Sequence, residues 1–266
     1  MRTDLVPDGL WERVAPLLPP APERPRRYPG RLRVPDRAAL AGILYVLRTG
    51  VAWRDVPAET VGCSGVTAWR RLRDWTEAGV WPRLHTALLA ELRRAGLLYL
   101  DDCSVDGSHV RALKRGDHVG PSPVDRARPG SKHHLIVDRH GTPLAVSLTG
   151  GNRHDVTQLL PLLNAVPPIR GRRGRPRRKP RRLYADRGYD FDNYRRMLWK
   201  RGIKPLIARR GVAHGSGLGK VRWVVERAFA WLHPFKRLRT RYERADLQQG
   251  LLELACSLIC LRRLRT

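Results

Sequence analysis

Apolar residues recur at helical spacing through roughly the first hundred positions and at strand spacing afterwards. Trp11, Val14 and Leu17–Leu18 predict a short amphipathic helix ended by Pro19–Pro20. A Pro- and Arg-rich connector follows, from Ala21 to Pro35. Asp36 is then placed to cap a helix through Leu40, Ile43, Leu44 and Leu47, stopping at Gly50. A turn over Val51 to Gly65 leads to a third helix, Val66 to Ala78. Its apolar positions Val66, Trp69, Leu72 and Trp75 sit three or four apart, and its other face carries Thr67, Arg70, Arg71 and Arg73. A helix, a turn and a second helix with an Arg-rich face is the arrangement that enters a major groove, although helical hairpins with basic faces also occur without that role.

From Tyr99 the pattern changes to short strands: Leu100 to Val110, His133 to Asp138, Leu144 to Thr149, Arg182 to Asp186 and Lys204 to Ala208. Asp138 to Gly141 reads as the turn joining the second strand to the third. Asp155 is placed to cap a helix through Val156, Leu159, Leu160 and Leu163, with Gln158 completing a capping box. Further helices are predicted over Tyr194 to Arg201, Val221 to Leu232 and the carboxyl-terminal stretch. The fold class is therefore α/β in two parts: an all-helical, helix-turn-helix-like segment over 1–97, and a mixed-sheet domain over 98–266.

Charge changes the picture of partners. The 266 residues carry 52 Lys and Arg against 24 Asp and Glu, a net +28. A field of that sign attracts polyanions, nucleic acid first among them. An arginine-rich composition is the plainer alternative. Residues 170–182 hold nine Arg or Lys and no acid, which predicts a solvated loop, either lying on phosphates or a plain surface insertion. No apolar run reaches the ~18 residues of a membrane span; Leu251–Leu261 is broken by Glu253. The opening Met1, Arg2, Thr3 and Asp4, followed by Pro7 and Asp8, does not make a signal peptide. Cys63, Cys103, Cys256 and Cys260 form no CxxC pair, which fits a cytoplasmic protein without disulfides or structural zinc.

Acids are scarce in the second half, so those at strand ends stand out. Asp106 lies in Ser104-Val-Asp-Gly-Ser-His-Val110, and Asp186 in Tyr184-Ala-Asp-Arg-Gly-Tyr189. If the first three strands form an antiparallel meander and the fourth runs parallel to the first, these two carboxylates meet. Such a pair raises one pKa unless a divalent cation sits between them. Glu226 follows on the helix Val221 to Leu232, at the border of its apolar face beside Arg222 and His233. Singly, each acid also reads as a turn residue, a strand-end cap or half of an Arg222–Glu226 helix pair. The turn Gly150 to Asp155 falls on the same sheet edge, so Asn152 and His154 are candidates to orient water or phosphate there, with a plain helix-entry turn the alternative. Lys132 and His133 are expected in a loop at that edge, and Lys132 is a candidate phosphate contact. His109 is expected to be structural.

These residues resemble the DDE transposases of bacterial insertion sequences, within them the insertion-sequence-five group of the IS4-like transposases. The resemblance runs through Leu10-Trp11-Glu12, Gly50-Val-Ala-Trp-Arg-Asp-Val-Pro57, Val105-Asp-Gly-Ser-His-Val-Arg-Ala112 and Gly130-Ser-Lys-His-His-Leu135. It continues through Gly151-Asn-Arg-His-Asp155, Ala185-Asp-Arg-Gly-Tyr189 and Trp223-Val-Val-Glu-Arg-Ala-Phe-Ala-Trp-Leu232. It implies a helical DNA-binding domain ahead of an RNase H-like catalytic domain, with Asp106, Asp186 and Glu226 holding two Mg²⁺ or Mn²⁺ ions. The implied partners are double-stranded DNA, both terminal inverted repeats and target, and a second copy of the chain on that DNA. Arg70, Arg71, Arg73, Lys132, Arg222 and Lys236 are the candidate DNA contacts. The family places a Tyr seven residues before the Glu, an Arg four before and a Lys or Arg seven after. Here those positions hold Gly219, Arg222 and His233, leaving His233, Lys236 or Arg237 to take the last role. A non-catalytic DNA-binding regulator or a decayed copy, and an RNase H-like nuclease without strand transfer, are the competing readings.

Overall fold

The computed structural model describes residues 5–21, 23, 27, 32–212 and 219–265; residues 1–4 and much of the Pro- and Arg-rich connector lie outside them. Helix α1 (Asp8–Val14) buries Leu10 and Val14. Helix α2 (Asp36–Thr49) buries the expected stripe of Leu40, Ile43, Leu44 and Leu47 and stops at Gly50, whose φ of 76° is left-handed. Asp36 does not cap it: Pro35 stands at the N-cap, and the Asp36 carboxylate instead pairs with Arg33 and Arg71.

The expected turn contains a single-turn helix, α3 (Ala58–Val61), closed by Gly62 at φ 82°. Helix α4 (Gly65–Glu77) then starts from Ser64, whose hydroxyl accepts the Thr67 N–H. Its buried stripe is Gly65, Ala68, Leu72 and Trp75, and Val66 is exposed. The stripe starts one residue early because the Gly65 backbone packs on Trp53: a Cβ there would lie 1.6 Å from the Trp53 carbonyl oxygen. Helix α5 (Val80–Arg94) completes the amino-terminal half.

The sheet is built from β1 (Asp102–Ala112), β3 (Pro129–Asp138), β4 (Pro143–Gly150), β5 (Arg182–Ala185) and β6 (Lys204–Ile207). Two-residue strands β2 (Gly120–Pro121) and β7 (Thr240–Arg241) extend it. Strands β4, β3 and β1 form an antiparallel meander, and β5 and β6 run parallel to β1, giving the order β4-β3-β1-β5-β6. That order and these directions are the RNase H-like arrangement. Helices α6 (Leu159–Ala165), α7 (Asp192–Lys200), α8 (Gly219–Leu232) and α9 (Ala245–Arg263) pack on the sheet or its edges. The four cysteines are buried and free, as small apolar groups. Among the described residues no helix is long and apolar enough to cross a membrane.

The basic run departs from expectation. Ile169 and Arg177 pair as a bridge, Arg177 binds Asp101, and Arg182 Nη2 lies 2.7 Å from Asp102 Oδ2. Lys179 donates to the Arg201 carbonyl at 2.7 Å. Two acids at the foot of β1 thus order half of the run, while Arg170, Arg172, Arg173 and Arg175 are exposed.

One continuous apolar core spans both halves, with α5 packed along α9. A buried ion pair locks the seam. Arg237 and Glu243 are 6% and 8% exposed. The Trp53 indole donates to Glu243 Oε1 at 2.9 Å, and Arg237 Nη1 donates to the Val51 carbonyl at 3.2 Å. Arg237 was expected to be available to phosphate; here its guanidinium is spent on this clamp. Breaking the pair leaves a buried charge uncompensated, so Glu243→Ala is expected to lower unfolding free energy by about 3–5 kcal/mol, read from urea midpoints.

Candidate active site at the β1–β5 edge

β1 is the longest strand, and Asp106 sits at its middle rather than near its end. Strand β5 pairs with β1 from Asp102↔Arg182 to Ser104↔Tyr184 and ends at Ala185. Continuing that register sets Asp186 opposite Asp106. The Asp186 carboxylate caps the turn Arg187–Tyr189 by accepting the Gly188 N–H at 2.8 Å, and Asp106 Oδ1 accepts the Gly107 N–H at 2.8 Å.

Glu226 reaches the pair through an arginine. Arg222 Nη1 lies 3.1 Å from Asp106 Oδ2, and its Nη2 lies 3.2 Å from Glu226 Oε1. The expected Arg222–Glu226 helix pair is therefore present, and the same guanidinium extends it to the sheet. Glu226 is exposed, whereas Asp106 is largely buried. Burial pushes the Asp106 carboxyl up to about 6, and the charges of Asp186 and Asp155 push the same way.

Among the described residues, no three His, Cys, Asp or Glu side chains form a group that holds a metal ion as they stand. The donor chemistry nevertheless fits a hard divalent cation: carboxylate oxygens crowd a buried spot where ionising Asp106 is costly, and a cation is already drawn to it in Arg222.

The other candidates divide. His154 packs its ring on Phe191, just past the Asp186 turn, at 5.3 Å. Asn152 instead lies against Gly120 of β2, at the Gly130 end of β3 that pairs with Arg111, about 16 Å along β1 from Asp106. His233 is exposed and lines a cavity of about 240 Å³ with Ser108, His109, His133 and Phe229. Lys132 and His133 do not lie in a loop. Strand β3 begins at Pro129, both are buried in it, and Lys132 Nζ is held by Asp155 Oδ1 at 2.9 Å and the Arg153 carbonyl at 2.8 Å. Lys132 is thus withdrawn from phosphate.

On α4, Arg70 is exposed, Arg73 pairs with Asp74 beside the Trp69 ring, and Arg71 is held by Asp36 at 3.0 Å. Arg71 therefore braces α4 against α2 rather than facing outward. Lys236 is exposed on the turn after α8 and abuts Gly50. Gly219 falls in a helix whose first side chains lie outside the described residues.

Sequence reasoning missed Asp155. It does not cap a helix: His154 holds the N-cap of a 3₁₀ turn over Asp155–Gln158, and Gln158 accepts from Ser147 at 3.1 Å. The Asp155 side chain turns back to β1, where its Oδ1 lies 2.9 Å from where a Gly107 Cβ would be. The glycine after Asp106 was the available signal, since a side chain at 107 would collide with Asp155.

The raised Asp106 carboxyl fixes a pH dependence. With the native pKa above the unfolded value, the native state binds the extra proton, so stability falls as pH rises from about 4 through 6. In EDTA, Asp106→Asn is expected to stabilise the fold by about 1–3 kcal/mol at pH 8, and the gain is expected to vanish below about pH 4, measured by denaturant unfolding across pH.

Comparison with known proteins agrees with this geometry. Residues 6–85 match the family model described as "Putative transposase of IS4/5 family", and residues 101–261 match "Transposase DDE domain". The "Putative transposase for insertion sequence element IS402" of Burkholderia cepacia is 63% identical over 148 residues, 55% of this chain and 70% of that protein. The "Insertion element IS402 uncharacterized 16.2 kDa protein" of the same organism is 53% identical over 124 residues, 46% of this chain and 84% of that protein. Among solved structures, the catalytic domain of Mos1 mariner transposase matches at 12% identity over 68% of this chain and 90% of that one, with a TM-score of 0.28. A similarity that loose leaves the fold to rest on the strand order itself. With most of the sheet domain matched by one model and the helical half by the other, the chain belongs to the DDE transposases of the IS4/5 family, proteins of DNA transposition.

Proposed function

We propose that Asp106, Asp186 and Glu226 are the catalytic and metal-holding acids, taking two Mg²⁺ or Mn²⁺ ions, and that the protein cuts the ends of an insertion sequence and joins them to target DNA. The observation that carries this reading is the register: β5 stops where Asp186 falls opposite Asp106, and Arg222 ties Glu226 to the same spot. Divalent ions held by these carboxylates would supply activation of the attacking oxygen and charge stabilisation of the leaving one in an in-line displacement at phosphorus. The chain's own part is to hold carboxylates at that edge, with Gly107 N–H and Gly188 N–H orienting Asp106 and Asp186. Arg222, whose guanidinium bridges Asp106 and Glu226, is the group placed to take a phosphate oxygen at that edge.

Residues 1–97 act as the DNA-reading part, with α4 carrying Arg70 outward from a Ser64-capped turn, and residues 98–266 as the catalytic part. Joining two ends calls for two active sites, so the working form on DNA is a homodimer. Its partners are the terminal inverted repeats and target DNA.

The test is cleavage of a duplex carrying the element's inverted repeats, in Mn²⁺ or Mg²⁺ and in EDTA. Metal-dependent nicking at the repeat ends is expected, falling at least about a hundredfold in each of Asp106→Asn, Asp186→Asn and Glu226→Gln. Cleavage surviving all three substitutions would overturn the site, and binding without cutting would favour a regulator. For α4, Arg70→Ala is expected to weaken repeat binding and lower the salt-dependence slope by about 1. Arg71→Ala is expected to cost about 1 kcal/mol of stability instead, because it removes the bond that ties α4 to Asp36 of α2 and leaves Asp36 with Arg33 alone.

A further inference from the structure

A second charged group stands on the strand paired with β1, three residues along from Asp106, and the three proposed acids do not account for it. Lys132 is 5% exposed, and its ammonium donates to Asp155 Oδ1 at 2.9 Å and to the Arg153 carbonyl at 2.8 Å. Asp155 and His134 both press on the backbone at Gly107: a Cβ there would lie 2.9 Å from Asp155 Oδ1 and 3.0 Å from His134 Nδ1. His134 is fully buried. Its Nε2 is bonded to Thr149 Oγ1 at 2.7 Å, while its Nδ1 faces Asp155 Oδ1 at 3.8 Å without a hydrogen bond. The Tyr189 hydroxyl is also buried and unpartnered, in the turn that packs on the Asp155 turn.

A lysine ammonium removed from water is expensive to keep and repels cations over several ångströms. From β3 Lys132 pairs with His109, three residues along β1 from Asp106, whose proposed work is to collect cations. Left unpaired, it would oppose the negative field there. The chain keeps it and spends a carboxylate on it, wedged against a glycine that admits nothing larger.

We propose that Asp155 is a positioning residue: it holds the buried Lys132 ammonium and neutralises its charge, so that the field at Asp106 and Asp186 stays negative enough to draw in a divalent cation. This rests on reading Asp106, Asp186 and Glu226 as the metal-holding acids. A pair that merely anchored the turn after β4 would affect stability and leave cation affinity alone.

The two are separated by Mn²⁺ titration calorimetry on the full-length protein without DNA, with thermal unfolding of the same samples. Asp155→Asn keeps the shape and removes the charge, and is expected to weaken Mn²⁺ binding at least about fivefold. Lys132→Met is expected to bind Mn²⁺ as tightly as the parent or more tightly. The double variant, neutral at both positions, is expected to return to within about twofold of the parent. Unchanged affinity in Asp155→Asn, or a double variant as weak as that single one, would overturn the proposal. Should Asp155→Asn fail to fold, Lys132→Met decides alone, and weaker Mn²⁺ binding in it counts against the idea. Asp106→Asn is the control: if it leaves affinity unchanged, the acid site falls and this inference with it. If it abolishes binding while Asp155→Asn does not weaken it, the role of Asp155 alone is rejected.

Discussion

The arrangement hangs on the unequal pairing of the two edges of β1. On one side β3 accompanies it from Cys103↔Asp138 to Arg111↔Gly130. On the other, β5 covers its first residues and β7 its last two, and among the described residues no strand covers the stretch between. An unpaired strand edge exposes backbone donors and acceptors that must be covered. Helix α8 packs there, and its Arg222 lands on Asp106. The proposed active edge is thus a missing piece of sheet, with an acid from the long strand, an acid from the end of the short one and an acid from the covering helix. Open sheets tend to bind ligands beyond the carboxyl ends of their strands, and the end of β5 is such a place.

Charge follows from the same geometry. Several of the arginines in this chain of net +28 are committed internally: Arg71 to Asp36, Arg182 to Asp102, Arg237 to Glu243, Arg222 to two acids. Asp106, Asp186 and Asp155 form the contrasting negative spot, strong enough that burial and mutual repulsion hold the Asp106 carboxyl near 6. A polyanion approaching the basic surface therefore meets a locally negative site, which only a cation can make hospitable to phosphate. Arg222 fills that place in part, with one charge shared between two carboxylates.

Much of this was legible in the chain. Strand-like runs located the five main strands, and supposing the fourth to run parallel to the first brought Asp106 to Asp186. What escaped was decided by tertiary contacts. Lys132 and His133 read as a loop because they are polar, yet both are paired inside β3, Lys132 with Asp155 and His133 with Gln248. The α4 stripe starts one residue early, at Gly65, because Gly65 packs against the Trp53 carbonyl, while Leu72 and Trp75 stay where they were expected. Asp155 carried a perfectly good capping pattern, and a buried ammonium outbid the helix for it. The basic run folded because two acids at the foot of β1 stood opposite it.

The division near residue 97 is a boundary in pattern more than in packing. Helix α5 lies along α9, and the Trp53–Glu243–Arg237 clamp closes just beyond the carboxyl end of α8. A recognition module on a flexible tether would bring DNA near the acids and leave its orientation to chance. Here the helix carrying Arg70 and the helix carrying Glu226 share one core, so on the proposed reading the distance and angle from bound DNA to the acids are set when the chain folds. Site recognition and catalytic geometry are in that sense the same packing problem, solved once at the seam.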